Sequence, residues 1–115
     1  MNEVSPGEPK KTSLGIDENI EGLLAYLLGP VTGIILLVLE KESDFVRFHA
    51  MQSTIAFLSL WILQIILRAV FSPLGTLVGL LELVVWIVGM VKAYQGERYK
   101  FPIVGDLAEQ WLEKV

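Results

Sequence analysis

Three long apolar runs restrict what this chain can fold into more than any other feature of the sequence. They cover residues 20–39, 50–71 and 74–94, and they are apolar nearly all round rather than along one face. A soluble helix keeps a polar face, whereas a helix in lipid does not need one. About 20 residues of α-helix, at roughly 1.5 Å each, cross the hydrocarbon layer of a bilayer. The runs therefore predict an integral membrane protein.

The predicted fold class is all-α, a membrane bundle of three transmembrane helices followed by a short C-terminal amphipathic helix. The three spans are expected near residues 19–40, 44–71 and 74–95. Pro30 falls inside the first span and removes one backbone hydrogen bond, so a kink is expected near Gly29 and Pro30. Such a fold implies multi-pass residence in the cell membrane.

Polar flanking sequence divides the chain into three parts. Residues 1–16 are rich in proline, glycine and lysine, which predicts a disordered tail. Residues 17–95 form the predicted transmembrane domain. Residues 96–115 begin with a polar turn and continue into apolar residues at helical spacing. This last part predicts an amphipathic helix that either lies in the headgroup region or docks on the bundle.

The charge and residue content argue against several classes of function. Nine Lys and Arg face 13 Asp and Glu, giving a net charge of −4, so no basic surface for nucleic acid is expected. Cysteine is absent and His49 is the only histidine, which leaves no set of side chains typical of a metal site. No phosphate-binding glycine loop or nucleophile motif occurs. We therefore expect no catalytic residues, cofactor, metal or enzymatic activity.

The distribution of basic residues predicts the orientation in the membrane. With three spans, the loop after the first span and the C-terminus share one side. That side carries six of the nine Lys and Arg residues, and the N-terminal side carries three. Because Lys and Arg are enriched in cytoplasmic loops, the C-terminus is expected in the cytoplasm and the N-terminus outside.

Small or polar residues recur along one face of each predicted span. In lipid, helices associate through close backbone approach at small residues, so this seam is expected to pack against another helix. The seam consists of Gly22, Tyr26, Gly29, Gly33, Gly75, Gly79 and Gly89. It either holds the bundle of one chain together or also receives a partner protein or a second copy of the chain.

Glu82, Arg68 and Gln64 are polar residues within the apolar runs. A charged side chain deep in the bilayer costs about 2.5–3.5 kcal/mol on insertion scales, so Glu82 is expected to be paired or protonated. Arg68 and Gln64 are candidate partners on the neighbouring helix, and Tyr26 or Thr32 are candidates on the first. The alternatives are a structural hydrogen bond and a site for a proton or an ion.

A second polar group is expected at the cytoplasmic end of the middle span. It consists of Glu40, Arg47, His49, Gln52 and Lys92. We expect Gln52 to bond to a neighbouring helix and His49 to reach toward Glu40, while Arg47 extends to lipid phosphates. The group is either a polar cap on the bundle or a site that engages a partner.

Three segments carry a resemblance to known proteins, namely residues 21–29, 45–53 and 92–106. They resemble a family of uncharacterised prokaryotic, notably archaeal, multi-pass membrane proteins. That family is distantly similar to the twenty-kilodalton component of the translocon at the inner chloroplast envelope. Arg47, Phe48, Met51 and Gln52 match the Arg-Phe-x-x-Met-Gln element of the import component. The import proteins have four spans, whereas three are expected here.

The sequence therefore predicts a membrane protein that acts as an interaction or assembly subunit of a membrane complex. Its expected partners are the lipid bilayer and either another protein or further copies of itself. Protein translocation is the task that the resemblance suggests. The alternative is an oligomeric conductor of ions or protons that uses Glu82, because an intramembrane carboxylate often marks a pathway.

Overall fold

The computed structural model describes residues 11–115, which contain five α-helices and no β-strand. The helices are α1 (Glu18–Leu27), α2 (Pro30–Leu39), α3 (Asp44–Val70), α4 (Ser72–Tyr94) and α5 (Val104–Leu112). The all-α prediction is confirmed. Residues 1–10 of the predicted tail lie outside the described residues.

The first apolar run forms a helical hairpin rather than one kinked helix. α1 and α2 each have 10 residues, and the backbone between them turns at Gly29, which has φ 63° and ψ −132°. Glycine tolerates this positive φ, and Pro30 suits the first turn of a new helix because it lacks an N–H. The two outer ends meet, since the Ser43 hydroxyl just beyond α2 donates to Glu18 Oε2 at 2.5 Å. The expectation of one helix over residues 19–40 is wrong.

α3 and α4 form a long antiparallel pair. α3 has 27 residues and α4 has 23, and both are long and apolar enough to cross a membrane. Ser43 caps α3 by accepting a hydrogen bond from the Val46 N–H at 3.2 Å. Phe71 alone separates the two helices. Because these are the two helices within residues 11–115 that qualify as candidate spans, the prediction of three spans is not confirmed.

The α1–α2 hairpin covers one half of the α3/α4 pair. We call the end with Asp44 and Tyr94 the near end, and the end with Phe71 the far end. Gly33 of α2 packs against Ala50 and Thr54 of α3. At the hairpin tip, Gly29 contacts Phe57 and Trp61, about halfway along α3. The hairpin therefore stops near the middle of α3.

The C-terminal segment also packs on the near half. Phe101 and Val104 contact the buried cluster that contains Tyr26, Ala56 and Val85. α5 then returns toward the near end, with Ala108 and Leu112 packed against Phe48, Met51 and Ile55 of α3. Of the two placements expected for this amphipathic helix, the structure shows docking on the bundle.

Both ends of the described chain lie at the near end. Lys11 pairs with Asp17, the residue that precedes α1, while Arg98 pairs with Asp44 at the start of α3 at 2.8 Å. With three spans, the N-terminal and C-terminal segments were expected on opposite sides of the membrane. The hairpin explains the difference, because it returns the chain to the side from which it came. Residues 11–16 also depart from the predicted disorder, since Thr12 donates to Glu21 and Ser13 donates to Glu40.

Candidate functional site

A fully buried polar network joins α1, α3 and the segment after α4. Its side chains are Tyr26, His49 and Gln52, none of which has any exposed surface. The Tyr26 hydroxyl lies 2.7 Å from His49 Nδ1, and Gln52 Nε2 donates to the same hydroxyl at 2.9 Å. His49 Nε2 lies 2.9 Å from the carbonyl oxygen of Glu97. Since a carbonyl only accepts, Nε2 carries the proton, and Nδ1 accepts from Tyr26.

The side-chain amide of Gln52 forms hydrogen bonds with the non-helical backbone after α4, as a neighbouring β-strand would. Its Nε2 donates to the Tyr99 carbonyl at 2.9 Å, and its Oε1 accepts from the Phe101 N–H at 2.9 Å. Non-helical backbone inside a membrane protein needs such partners, because lipid offers none. His49 does the same for the Glu97 carbonyl. The network therefore fixes residues 97–101 against the bundle and leaves no hydrogen-bonding group of Gln52 free.

Arg47 performs a similar task on the opposite side of α3. Its Nη1 donates to the carbonyls of Leu37 at 3.0 Å and Glu40 at 2.8 Å, which closes the C-terminus of α2. The sequence analysis expected it to reach lipid phosphates and expected His49 to reach Glu40. Neither contact fits the structure, because His49 is engaged by Tyr26 and Glu97. Lys92 lies apart and pairs with Glu97 at 3.1 Å.

The residues of the Arg-Phe-His-x-Met-Gln stretch therefore attach different neighbouring segments to α3. Arg47 holds α2, His49 and Gln52 hold α1 and residues 97–101, and Phe48 and Met51 pack against α5. Sequence reasoning identified the polar members from their position in an apolar helix. It missed their partners, because most of these are backbone carbonyls or amides that no residue type reveals.

A second buried cluster lies where the ends of the α1–α2 hairpin meet, and the sequence analysis did not identify it as a cluster. Glu21 and Glu40 are both fully buried. Burial raises the pKa of Glu21 to about 7, and its hydrogen bond with Glu40 adds to the rise. Burial acts in the same sense on Glu40, but hydrogen bonds from Glu21, Ser43 and Ser13 outweigh it and lower its pKa to about 2. Both carboxyls lie outside α3 and α4.

Glu82, Gln64 and Arg68 do not form one hydrogen-bonded group. Gln64 Nε2 donates to the Gly75 carbonyl at 3.3 Å, and the Arg68 side chain packs along Gly75. Within residues 11–115, Glu82 forms no salt bridge with Arg68, and its buried Oε1 has no hydrogen-bond partner. Glu82 lines a crevice of about 420 Å³ below the hairpin tip. The other lining residues are Leu27, Leu28, Gly29, Phe57, Trp61, Gly79, Leu83 and Trp86.

The seam residues pack inside the molecule. Gly22 faces Phe45 and Ala93, and Gly89 faces the ring of Tyr26. Gly29, Gly33, Gly75 and Gly79 face Phe57, Thr54, Arg68 and Gln64 respectively. Each of these seam glycines therefore has neighbours within the chain, and Gly29 and Gly79 also line the crevice beside Glu82. In the described part of the chain, no group of three or more His, Cys, Asp or Glu side chains is placed to hold a metal ion.

Comparison with known proteins gives consistent matches. A sequence model of the magnetosome magnetite crystal formation protein family matches residues 17–108. A UPF0132 membrane protein of Methanocaldococcus jannaschii is 57% identical over 107 residues, covering 90% of this chain and 96% of that protein. A second from the same organism is 53% identical, covering 89% and 75%. One from Archaeoglobus fulgidus is 54% identical over 100 residues, covering 83% and 95%. No solved structure matches.

Proposed function

The chain belongs to the UPF0132 membrane protein family, matched by the model of the magnetosome magnetite crystal formation family, and from this premise we propose that it is a non-enzymatic membrane subunit. Its task is to assemble with a transmembrane helix of another chain. The observation that carries the proposal is the unpartnered carboxyl oxygen of Glu82 beside an open crevice.

The membrane arrangement that supports this proposal has two spans and one hairpin. At roughly 1.5 Å per residue, α3 is about 40 Å long and each hairpin helix about 15 Å, so only α3 and α4 match a bilayer. α2 exposes apolar side chains such as Val31 (52%) and Val38 (60%), which suits lipid around the hairpin. Both hairpin helices enter from the near side and end near the bilayer middle.

This arrangement sharpens the charge asymmetry. Of the eight Lys and Arg residues in the described chain, Arg68 alone lies toward the far end. The other seven belong to the near half: Lys11, Lys41, Arg47, Lys92, Arg98, Lys100 and Lys114. Basic residues mark the cytoplasmic side, so the near end faces the cytoplasm. The proposed location of the C-terminus is unchanged from the sequence analysis, while that of the N-terminus is reversed.

The crevice below the hairpin tip is the proposed contact surface. Trp61 and Trp86 flank it, and the Trp86 Nε1–H is already used by the Leu27 carbonyl at 3.1 Å. Glu82 lines the crevice, and its buried Oε1 has no donor within residues 11–115. A helix that carries a hydroxyl, amide or basic side chain at this depth supplies that donor. In membranes such a bond contributes about 0.6 kcal/mol, and at most 1–2 kcal/mol, so packing by the tryptophans must supply the rest.

A photo-crosslinking pair tests the assembly proposal. A photoreactive amino acid at Leu83, which lines the crevice, is expected to capture a protein partner in native membranes. The matched control is Val84, the next residue, which is 54% exposed but outside the crevice. Glu82→Leu should reduce capture at position 83. Recovery of the chain alone from both positions, or equal capture at both, contradicts the proposal.

A second candidate function is conduction of protons or ions through an oligomer. The same observation favours it, because an intramembrane carboxyl without a partner is typical of a pathway. Two spans and a half-length hairpin enclose no pore, so several copies would have to line it. Flux measured in liposomes should then fall in Glu82→Gln. Flux that is equal in the wild type and this variant rejects the candidate.

Two further activities come only from similar proteins. Protein translocation rests on the resemblance to the import component, and the comparisons add nothing to it. Magnetite crystal formation is the description of the matched family. We extend neither activity to this chain.

A further inference from the structure

Glu21 and Glu40 approach each other at the near end of the α1–α2 hairpin, and each has one oxygen that is well supplied with donors. The Thr12 hydroxyl donates to Glu21 Oε1 at 2.5 Å. Glu40 Oε2 accepts from the backbone N–H and the hydroxyl of Ser13, at 3.1 and 2.8 Å. It also accepts from the N–H groups of Glu42 and Ser43, at 3.0 and 2.8 Å. These contacts place one negative charge firmly on Glu40.

The remaining two oxygens of the pair have no donor. Glu21 Oε2 and Glu40 Oε1 are buried without a hydrogen-bond partner, although both residues have no exposed surface. An unsatisfied buried carboxylate oxygen is costly, and two neighbouring buried carboxylates also repel each other. A single proton on Glu21 removes one of the two negative charges and supplies a donor that the pair otherwise lacks.

We propose that Glu21 and Glu40 form a binding site for one proton, which fastens residues 11–17 and both ends of the α1–α2 hairpin to the start of α3. Loss of the proton leaves two buried negative charges at one point of the fold. Loss of the proton should detach the N-terminal segment, because Thr12 and Ser13 attach that segment to the two carboxyls. The site is independent of Glu82 and of any partner chain.

The charged groups around the pair do not supply a substitute for the proton. Glu18 of α1 adds a negative charge, and it accepts from the Ser43 hydroxyl. The guanidinium of Arg47 in α3 donates hydrogen bonds to backbone carbonyls. Lys41 and Glu42 lie in the connection between α2 and α3. The remaining charged groups at this end form three ion pairs, namely Lys11 with Asp17, Lys92 with Glu97 and Arg98 with Asp44. Within residues 11–115 no basic side chain forms a salt bridge to either carboxyl.

The pKa values give the pH range over which the proton stays. With the pKa of Glu21 near 7 and that of Glu40 near 2, the pair holds one proton between those values. An unfolded chain releases this proton near the ordinary glutamate pKa, so folding favours proton binding between pH 4.5 and 7. The contribution of Glu21 to stability is therefore lost as the pH rises through 7. For a pKa of 7, occupancy falls from about 99% at pH 5 to about 1% at pH 9.

Spin-label distances test this proposal in the intact protein. The chain contains no cysteine, so nitroxide labels can be attached to Leu14→Cys and Lys41→Cys, both exposed positions beside the pair. In liposomes we expect a narrow distance distribution at pH 5 and a broad one at pH 9. Glu21→Gln should stay narrow at both values, because an amide N–H donates to Glu40 as the protonated acid does. The matched control Glu42→Gln changes an exposed carboxyl and should respond to pH like the wild type.

Infrared spectroscopy provides a second readout that does not depend on the labels. Between pH 9 and pH 5 the wild type should gain carboxylic acid absorption that Glu21→Gln does not gain and Glu42→Gln does. Absorption from a protonated Glu82 should be common to all three proteins. The proposal is overturned if the gain at pH 5 is the same in Glu21→Gln and the wild type. It is also overturned if the wild-type distance distribution is equally narrow at pH 5 and 9. Neither result bears on partner capture at the crevice, so the two proposals can fail separately.

Discussion

Gly89 is a position where one added methyl group should be costly, because the Tyr26 ring occupies the space. A Cβ atom at Gly89 would lie 2.5 Å from Cε1 and 2.6 Å from Cδ1 of Tyr26, well below van der Waals contact. The ring has little freedom to retreat. It is fully buried, and its hydroxyl is held by His49 and Gln52. Gly89→Ala therefore overpacks this site and displaces the Tyr26 hydroxyl from its two hydrogen bonds.

The expected cost follows from three contributions. Overpacking a dense site costs about 1–3 kcal/mol. Loss of the two Tyr26 hydrogen bonds adds about 0.6 kcal/mol each in a membrane protein. Alanine has a higher helix propensity than glycine, which offsets about 1 kcal/mol of this loss. The net expectation is a loss of about 1–3 kcal/mol in the free energy of unfolding.

Gly79→Ala is the matched control, since it lies in the same helix and gains the same propensity. Its new Cβ would meet only the terminal Nε2 of Gln64, at 3.1 Å, and a long side chain moves aside easily. The measurement is unfolding by sodium dodecyl sulfate in mixed micelles, followed by circular dichroism. In a Tyr26→Ala background the penalty of Gly89→Ala should vanish. The reasoning is refuted if Gly89→Ala matches Gly79→Ala, or if its penalty survives without the tyrosine ring.

Three further predictions concern the site and the topology. Gln52→Leu removes the side-chain partner of the part-buried Tyr99 carbonyl and Phe101 N–H, so it should cost about 1–3 kcal/mol in the same unfolding assay and hasten amide exchange at Phe101. Gln64→Leu, which loses one bond of 3.3 Å, should cost less. Single cysteines at Lys11 and Lys100 should label from the same face of the membrane and a cysteine at Ser72 from the other; opposite labelling of the first two would restore the three-span topology. Arg47→Met removes both hydrogen bonds to the end of α2 and should speed amide exchange in the last turn of that helix. Arg47→Lys should recover part of the protection. Unchanged exchange in Arg47→Met would show that the contact does not hold α2.

The sequence was sufficient for the long helices but not for the direction of the first. α3 and α4 were expected at residues 44–71 and 74–95 and are found at Asp44–Val70 and Ser72–Tyr94. Hydropathy finds such helices because it measures a preference for lipid over water. It does not measure direction, and a Gly-Pro pair inside an apolar run is compatible with a kink and with a full reversal. The reversal is decided by contacts distant in sequence, such as Gly33 against Ala50 and Ser43 with Glu18.

In the candidate site, too, the polar residues could be predicted from the sequence but their partners could not. His49 and Gln52 were selected because polar side chains in an apolar helix need partners, and the structure supplies several. The identity of those partners depended on the path of residues 97–101, which no local pattern specifies. Glu21 did not stand out because an acidic residue in the first turn of a helix is ordinary. Its importance arises only when the hairpin brings Glu40 beside it.

The unequal widths of the two halves have a mechanical consequence. A plane through the near half cuts α1 and α2 as well as α3, α4 and the C-terminal segment, whereas a plane through the far half cuts two helices. In a bilayer, such a body displaces more lipid area from one leaflet than from the other. The crowded leaflet then has the larger area, and a sheet with unequal leaflet areas relaxes by bending outward on that side. Copies gathered in one patch would favour a membrane that bulges toward the side of the near end, and each copy would lie with least strain where such a bulge already exists.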